Sequence, residues 1–314
     1  MREPFMLRLH VLKVVKAISQ KHDIGLCSRG RESVRMFHVE KMKADDFPFA
    51  VQLANTMNWN MAVEDFEFMV KLEPEGCFML FHGSERLGIC TSVSFGRVGW
   101  FGNLIVKGGY RREGTGSVLV RHVIDYLKNK GVETIGLYAY PHLISFYKRF
   151  GFEPDIDFSV LQGKAGFPPT EGAVRKAKKQ DVPEVIDFDS QCFGANRKKL
   201  LEPILLGTGN LCYIAIENDG IAGYVAAKVY DKMAEVGPLI CHANHVEAAV
   251  VLLKTILNRL NGLTVSMCMP KKEAALLNML SKAGFREDFG VVRMFLGSAV
   301  AKNCIYMAES LERG

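Results

Sequence analysis

Residues 106–117 read Val-Lys-Gly-Gly-Tyr-Arg-Arg-Glu-Gly-Thr-Gly-Ser and join a strand-like stretch to a helix-like one. A glycine-rich turn that opens a helix lets backbone amides come close to an anion, and the helix N-terminus adds partial positive charge. Each such interaction contributes ~0.3–2 kcal/mol, so several amides together with Arg111 and Arg112 are needed to hold a pyrophosphate. The segment lacks the Gly-Lys-Ser/Thr ending of a P-loop, and its strand and spacing do not fit the Rossmann fingerprint. On its residues alone it is either a phosphate-binding turn or a plain strand-to-helix turn. A second cluster, Cys241-His242-Ala-Asn-His245, offers three metal-ligating groups. It has no partner at zinc-site spacing, so a turn, and no metal, is the expectation. The eight cysteines form no Cys-x-x-Cys pair and most sit in apolar runs. Reduced, buried thiols in a cytoplasmic protein are expected rather than a disulfide scaffold.

These groups have to be positioned by a chain of 314 residues, which suggests two domains. Apolar residues at 48% and charged residues at 24% exclude wholesale disorder. The longest run without Asp, Glu, Lys or Arg, residues 47–63, contains Pro48, Gln52, Asn55, Asn58 and Asn60, so no membrane span is expected. The net charge of +6 is concentrated in residues 1–35, which hold eight basic against three acidic residues. The remainder, 32 basic against 31 acidic, gives no basic face, and no nucleic-acid partner is expected. Within the leader, Leu7, Val11, Val14, Val15 and Ile18 fall on one helical stripe. That stripe fits a targeting or membrane-surface helix, a packed accessory helix, or a stretch preceding the working domain, which would then open at Met36.

From residue 37 the periodicity predicts a strand over 37–41, helices over 44–56 and 63–71, and strands over 77–82, 86–95 and 99–106. A helix over 115–130, a strand over 134–139, a helix over 141–150 and a last strand follow. Residues 163–172 break the pattern and read as a linker. The pattern then restarts. Val174 through Pro183 echoes Val39 through Pro48 at an offset of 135, Gly88 matches Gly223 at that offset, and Gly151-Phe152 matches Gly284-Phe285 at 133. Such landmarks predict a tandem duplication: an extension over 1–35, one domain over 36–162, a linker over 163–172, a second domain over 173–298 and a tail over 299–314.

Arg111-Arg-Glu-Gly114-Thr-Gly116 resembles the Gln/Arg-x-x-Gly-x-Gly/Ala signature of the GNAT superfamily of acyl-CoA-dependent N-acyltransferases. Phe146-Tyr147-Lys-Arg-Phe-Gly151-Phe152 is similar to that family's Phe/Leu-Tyr-x-x-x-Gly-Phe segment. The element order from Phe37 to Val160 looks like the same fold. The resemblance implies an α/β (α+β) protein of two tandem GNAT-like domains, each a mixed central sheet flanked by helices. It implies an N-acetyltransferase that moves the acetyl group of acetyl-CoA to a primary amine, on a small molecule or a peptide, by direct attack in a ternary complex. The alternative is an acyl-CoA-binding regulatory protein with little or no catalysis.

By the resemblance, Arg111 and the amides of Arg112, Glu113, Gly114, Thr115, Gly116 and Ser117 would cradle the CoA pyrophosphate. Leu104, Ile105 and Val106 would pair with the pantetheine arm. Tyr147 would be the general acid that protonates the departing thiolate; a phenol of pKa ~10 can donate at neutral pH. The bland reading of Tyr147 is an aromatic packing residue. Relatives often carry Asn seven residues before this Tyr, where Tyr140 stands here. The second copy has neither the Arg-x-x-Gly-x-Gly turn nor the tyrosine, which is replaced by Leu280, so it is expected to pack against the first copy and wall the acceptor site, or to be structural. The loop holding Trp59 and Asn60, together with Glu64, Asn103 and His142, would border the acceptor. No carboxylate occurs on the strand 99–105, a position where relatives often keep one. Glu64 and Asp65 are either a base or ordinary helix-start residues, and His142 is an alternative base. The missing strand carboxylate favours an acceptor of low pKa, such as an α-amine (~7.7–8.0).

Overall fold

The computed structural model describes residues 37–164, 166–168, 174–217 and 220–314. The leader stripe, residue 165 and residues 169–173 of the expected linker lie outside the described residues.

The first half runs β1 (Phe37–Lys41), α1 (Phe47–Asn55), α2 (Val63–Leu72), β2 (Cys77–His82), β3 (Glu85–Phe95), β4 (Val98–Val106), α3 (Thr115–Asn129), β5 (Thr134–Ala139), α4 (Ile144–Lys148) and β6 (Glu153–Lys164). The second half repeats it as β7 (Val174–Lys176), α5 (Val182–Phe193), α6 (Lys198–Leu205), β8 (Leu211–Glu217), β9 (Gly220–Val229), β10 (Met233–His242), α7 (Val246–Arg259), β11 (Thr264–Pro270), α8 (Ala274–Lys282) and β12 (Arg286–Leu296). One further strand, β13 (Cys304–Met307), has no counterpart in the first half. The repeated Asp-x-Pro explains why both halves open alike. Asp46 accepts from the Lys43 amide at 2.9 Å and Asp181 from the Lys178 amide at 2.6 Å. Pro48 and Pro183 then stand in the first turn of α1 and α5, where a missing N–H costs nothing.

The thirteen strands among the described residues share one sheet, in the order β1-β2-β3-β4-β5-β12-β6-β11-β10-β9-β8-β7, with β13 paired to β10 off this path. The centre of this order is an exchange. β12, the last strand of the second repeat, lies antiparallel to β5, and β6, the last strand of the first repeat, lies antiparallel to β11. β6 and β12 then pair with each other. Each repeat therefore borrows its final strand from the other, and β6 continues to Lys164, into the stretch whose composition reads as linker. α3 buries Leu119, Val120, Val123, Ile124 and Leu127 on one face of the sheet; α7 buries Ala249, Leu252, Leu253, Ile256 and Leu257 in the equivalent place. At ~1.5–3 kcal/mol for each large apolar side chain removed from water, these stripes are what fix both helices.

A buried carboxylate also ties the halves together. Glu73 accepts from Tyr126 of α3 and from Lys130 just past its end, each at 2.6 Å, from the Ser94 amide of β3 at 3.0 Å, and from Lys199 of α6 at 2.6 Å. Burial acts to raise the Glu73 carboxyl, but the Lys130, Lys199, Tyr126 and Ser94 hydrogen bonds outweigh it and bring the pKa down to about 2. A carboxyl depressed in the folded state contributes stability above its unfolded value, here about 4.5, and loses that contribution as pH falls towards about 2. Glu73→Gln is therefore expected to lower stability at pH 7 and to flatten its decline between pH 4.5 and 2. Urea unfolding at a series of pH values measures both effects, and an unchanged slope would remove Glu73 from the acid response.

Candidate active site

β4 and β5 run parallel and pair only at Val98↔Thr134, Gly99↔Ile135 and Trp100↔Gly136. Past that point β5 keeps β12 as its other neighbour, while β4 follows β3, so the two strands diverge. From Phe101 to Val106 no strand pairs with the β5-facing edge of β4 among the described residues. A bulge sits in this stretch. The β3–β4 register shifts between Ile89 and Thr91, and Asn103 adopts φ +50°. The result is a wedge in the sheet with backbone donors and acceptors along one wall, which suits an extended ligand that can pair like a strand.

The glycine-rich turn lies at the mouth of this wedge. Arg112 has φ +68° and Gly114 φ +83°, so the chain passes through left-handed conformations immediately before α3 begins at Thr115. Open space surrounds the position where a Gly114 side chain would start. The turn is held from below: Thr115 is buried and its hydroxyl donates to Tyr110 O at 2.6 Å, and Arg111 Nε donates to Val106 O at 2.9 Å. Ser117 and Val118 donate to Gly114 O at 2.9 and 3.2 Å, whereas Thr115 and Gly116 occupy the first helical positions, where an amide has no intrahelical acceptor. Arg111, Arg112, Glu113 and Gly114 are exposed. The Ser117 amide, expected as part of the cradle, is thus also engaged within the helix.

Tyr147 sits in α4 with its ring against Phe101 of β4, Phe146 and Phe152, at centroid distances of 6.2, 5.0 and 6.2 Å. Burial pushes its phenol well above the usual value, so it carries its proton throughout the neutral range. Trp59 is half-buried and donates from Nε1 to the Tyr140 hydroxyl at 3.2 Å. The Tyr140 ring stacks on exposed His142 at 5.7 Å and meets Phe289 of β12 at 5.5 Å. The second half thereby contributes to this wall. Asn60 is exposed with φ +53°. Glu64 is exposed on the first turn of α2, and Asp65 accepts from the Ala62 amide at 2.8 Å, which is the helix-start role. Asn103 is buried and donates from Nδ2 to Thr91 at 3.0 Å; its Oδ1 has no partner among the described residues. Leu104, Ile105 and Val106 form the wall of the wedge.

The second half presents the same wedge, filled. β10 and β11 pair in parallel over four positions, Met233↔Thr264 to Val236↔Met267, and then part. β13 enters there and pairs antiparallel with β10, Leu239↔Met307 to His242↔Cys304. The turn into α7 carries His245, paired with Glu217 at 2.7 Å, instead of glycines and arginines, and Leu280 is fully buried. Among the described residues no three His, Cys, Asp or Glu side chains converge as a metal site, and no helix is long and apolar enough to cross a membrane. The residues after Val300, expected as a tail, supply β13. Its signal was the apolar run Cys304-Ile-Tyr-Met-Ala.

Residues 40–152 match the Acetyltransferase (GNAT) family, and residues 185–306 match an Acetyltransferase (GNAT) domain. The chain belongs to the GNAT family, in a tandem form. This tandem GNAT protein is an acyltransferase by type. It is 25% identical over 261 residues to the holothin acyltransferase of Pseudoalteromonas sp. (strain SANK 73390), across 82% of this chain and 87% of the relative. Its fold is similar to that of a putative acetyltransferase from Pyrococcus horikoshii, with TM-score 0.73 and 24% identity over 91% of this chain and 99% of that one. A tandem GNAT protein from the clavulanic acid biosynthesis pathway is similar at TM-score 0.56 and 13% identity, over 85% and 99%. At these identities the structural likeness is one of fold.

Proposed function

We propose that this tandem GNAT protein is an N-acetyltransferase that uses acetyl-CoA, bound in the first half only, to acetylate a primary amine on a small molecule or peptide. The observation that carries the reading is the β4–β5 wedge with the Arg111–Gly116 turn at its mouth and Tyr147 on its wall. The residues fit the cofactor's chemistry: exposed Arg111 and Arg112 and the first-turn amides of α3 suit a pyrophosphate, and the unpaired edge of Leu104–Val106 suits the amide-bearing pantetheine arm. When bound, acetyl-CoA supplies an activated acetyl thioester. Tyr147 holds the proton that the sulfur needs as the carbon–sulfur bond breaks, and Trp59, Tyr140 and His142 border the side from which the amine approaches. The relative named for acylating holothin supports acyl transfer rather than a purely regulatory role.

The test is thiol release from acetyl-CoA across a panel of amines. One thiol per acetylated amine is expected; CoA binding with no release for any amine would favour the acyl-CoA-binding regulatory reading. The turn makes a separate prediction. Gly114→Val places a β-branched residue at φ +83°, a conformation that costs of order 1–3 kcal/mol, so the turn reshapes. The Kd for CoA is expected to rise at least tenfold, measured by calorimetry, while the far-ultraviolet spectrum stays that of the parent. Unaltered affinity would take the turn out of cofactor binding.

A further inference from the structure

Beyond β13, Ala308 and Glu309 still lie against β10 and β11 of the second half, and Leu311, Glu312 and Gly314 reach the first half's β4. Ala308 N donates to Cys268 O at 3.3 Å, and Trp100 Nε1 donates to Leu311 O at 3.4 Å. Gly102 is what admits this segment: the Cα, Cβ and Cγ of Glu312 lie 2.7, 3.1 and 3.3 Å from where a Gly102 side chain would begin. Both flanks are clamped. Buried Glu309 pairs with Lys228 at 2.7 Å and with Arg313 at 2.8 Å, and fully buried Arg197 donates to Gly314 O at 2.9 Å.

Glu312 between these clamps is half-buried; its carboxylate accepts from its own backbone amide and forms no ion pair with another side chain among the described residues. The groups that face it are Arg313 and Glu309 of its own segment, Glu235 of β10, Cys268 of β11, and Tyr140 just past β5. Its place relative to Tyr147 is the deciding feature. Trp100 and Gly102 share one face of β4, because alternate strand residues do, and Trp100 belongs to the core beneath α1 and α2. Phe101 points to the other face, into the core of α3 and Tyr147. Glu312 and Tyr147 thus stand on opposite sides of β4, at the point where the wedge opens.

We propose that Glu312 is the general base for the first half's reaction, delivered by residues 304–314 because β4 itself has no carboxylate. This rests on the N-acetyltransferase reading. In the step, an ammonium first gives one proton to solvent through the Glu312 carboxylate. The neutral amine's nitrogen then bonds to the thioester carbon, its second proton passes to Glu312, the carbon–sulfur bond breaks, and the Tyr147 proton goes to sulfur. Solvent returns a proton from Glu312 to the Tyr147 phenolate, so the products are amide, thiol and one released proton. Burial, ahead of the opposing pull of Arg313, holds the Glu312 carboxyl above its ordinary value, which brings a base closer to the working pH. The second half then has a role without turnover: its wedge grips β13 and so sets where Glu312 lies.

The experiment compares wild type, Glu312→Gln and Glu312→Gly by thiol release from pH 5 to 10, with calorimetric CoA affinity measured for each. For Glu312→Gln, kcat is expected to fall about 100-fold or more, with CoA affinity within twofold and the acidic limb of the pH–rate profile gone. Formate or acetate is expected to restore part of the rate in Glu312→Gly, a rescue that a merely structural residue would not permit. Wild-type turnover with an unchanged rate and profile in Glu312→Gln would overturn the base role while leaving the acetyltransferase reading intact. Faster turnover would also overturn it and identify the segment as a plug. A wild type inactive on every amine would overturn both.

Discussion

Replacing Tyr147 by phenylalanine is expected to lower kcat by about 100-fold or more while leaving CoA affinity within about twofold. A positioned general acid contributes typically ~10²–10⁴ in rate, and the substitution removes the proton without removing the ring. The ring is what packs: its neighbours Phe101, Phe146 and Phe152 meet it through aromatic contacts that phenylalanine keeps. Stability should therefore change little, which separates a chemical role from a packing role. Stopped-flow turnover beside calorimetric CoA binding reads the split. The acyl donor's chemistry adds a further discriminator, because a thioester whose thiol has a low pKa needs less protonation on departure. With such a donor the deficit of Tyr147→Phe is expected to shrink; a constant deficit would mean that the hydroxyl acts otherwise.

The largest stability effect is expected at Arg197. Its guanidinium is fully buried, bonded to Asp189 at 2.7 and 3.0 Å, to the Tyr306 hydroxyl at 3.2 Å and to Gly314 O at 2.9 Å, over the Phe193 ring at 4.1 Å. Tyr224 donates to the same Asp189 carboxylate. Arg197→Ala leaves the Asp189 charge buried without its partner, a change that typically costs ~3–5 kcal/mol. Urea unfolding should show that loss as a lower midpoint. A double variant with apolar residues of similar volume, Arg197→Met with Asp189→Leu, is expected to recover much of it, since the pair's own net contribution is small once desolvation is counted. Because Arg197 also holds Gly314, the single variant should lower turnover more than it lowers CoA affinity.

The parts legible in the sequence were those governed by local pattern. Asp46-Phe-Pro48 and Asp181-Val-Pro183 mark the two helix starts because the carboxylate, the proline and the helix entry are all within a few residues. The turn at Arg111–Gly116 is equally local, and so is the helix-start role of Asp65, which was one of two readings open in the sequence. The exchange of β6 and β12 was not legible. Nothing in the residues of either strand says which repeat's fifth strand it adjoins, and only the three-dimensional order distinguishes them. β13 is four residues, all buried, too short for a periodicity to declare it. The placement of Glu312 on Gly102 joins residues 210 positions apart, which no spacing argument reaches. The expectation of a low-pKa acceptor followed from the bare strand 99–105; a carboxylate supplied by Glu312 removes its premise, and a lysine-like amine becomes as suitable as an α-amine.

The central claim is that one half of a duplicated protein holds the cofactor while the other half's equivalent wedge is filled by its own β13. Calorimetric titration of acetyl-CoA into the full chain tests it directly, with Gly114→Val and His245→Ala as references for the two turns. One site per chain is predicted, weakened by Gly114→Val and indifferent to His245→Ala. Two sites per chain, or a single site that survives Gly114→Val and is lost with His245→Ala, would contradict the account.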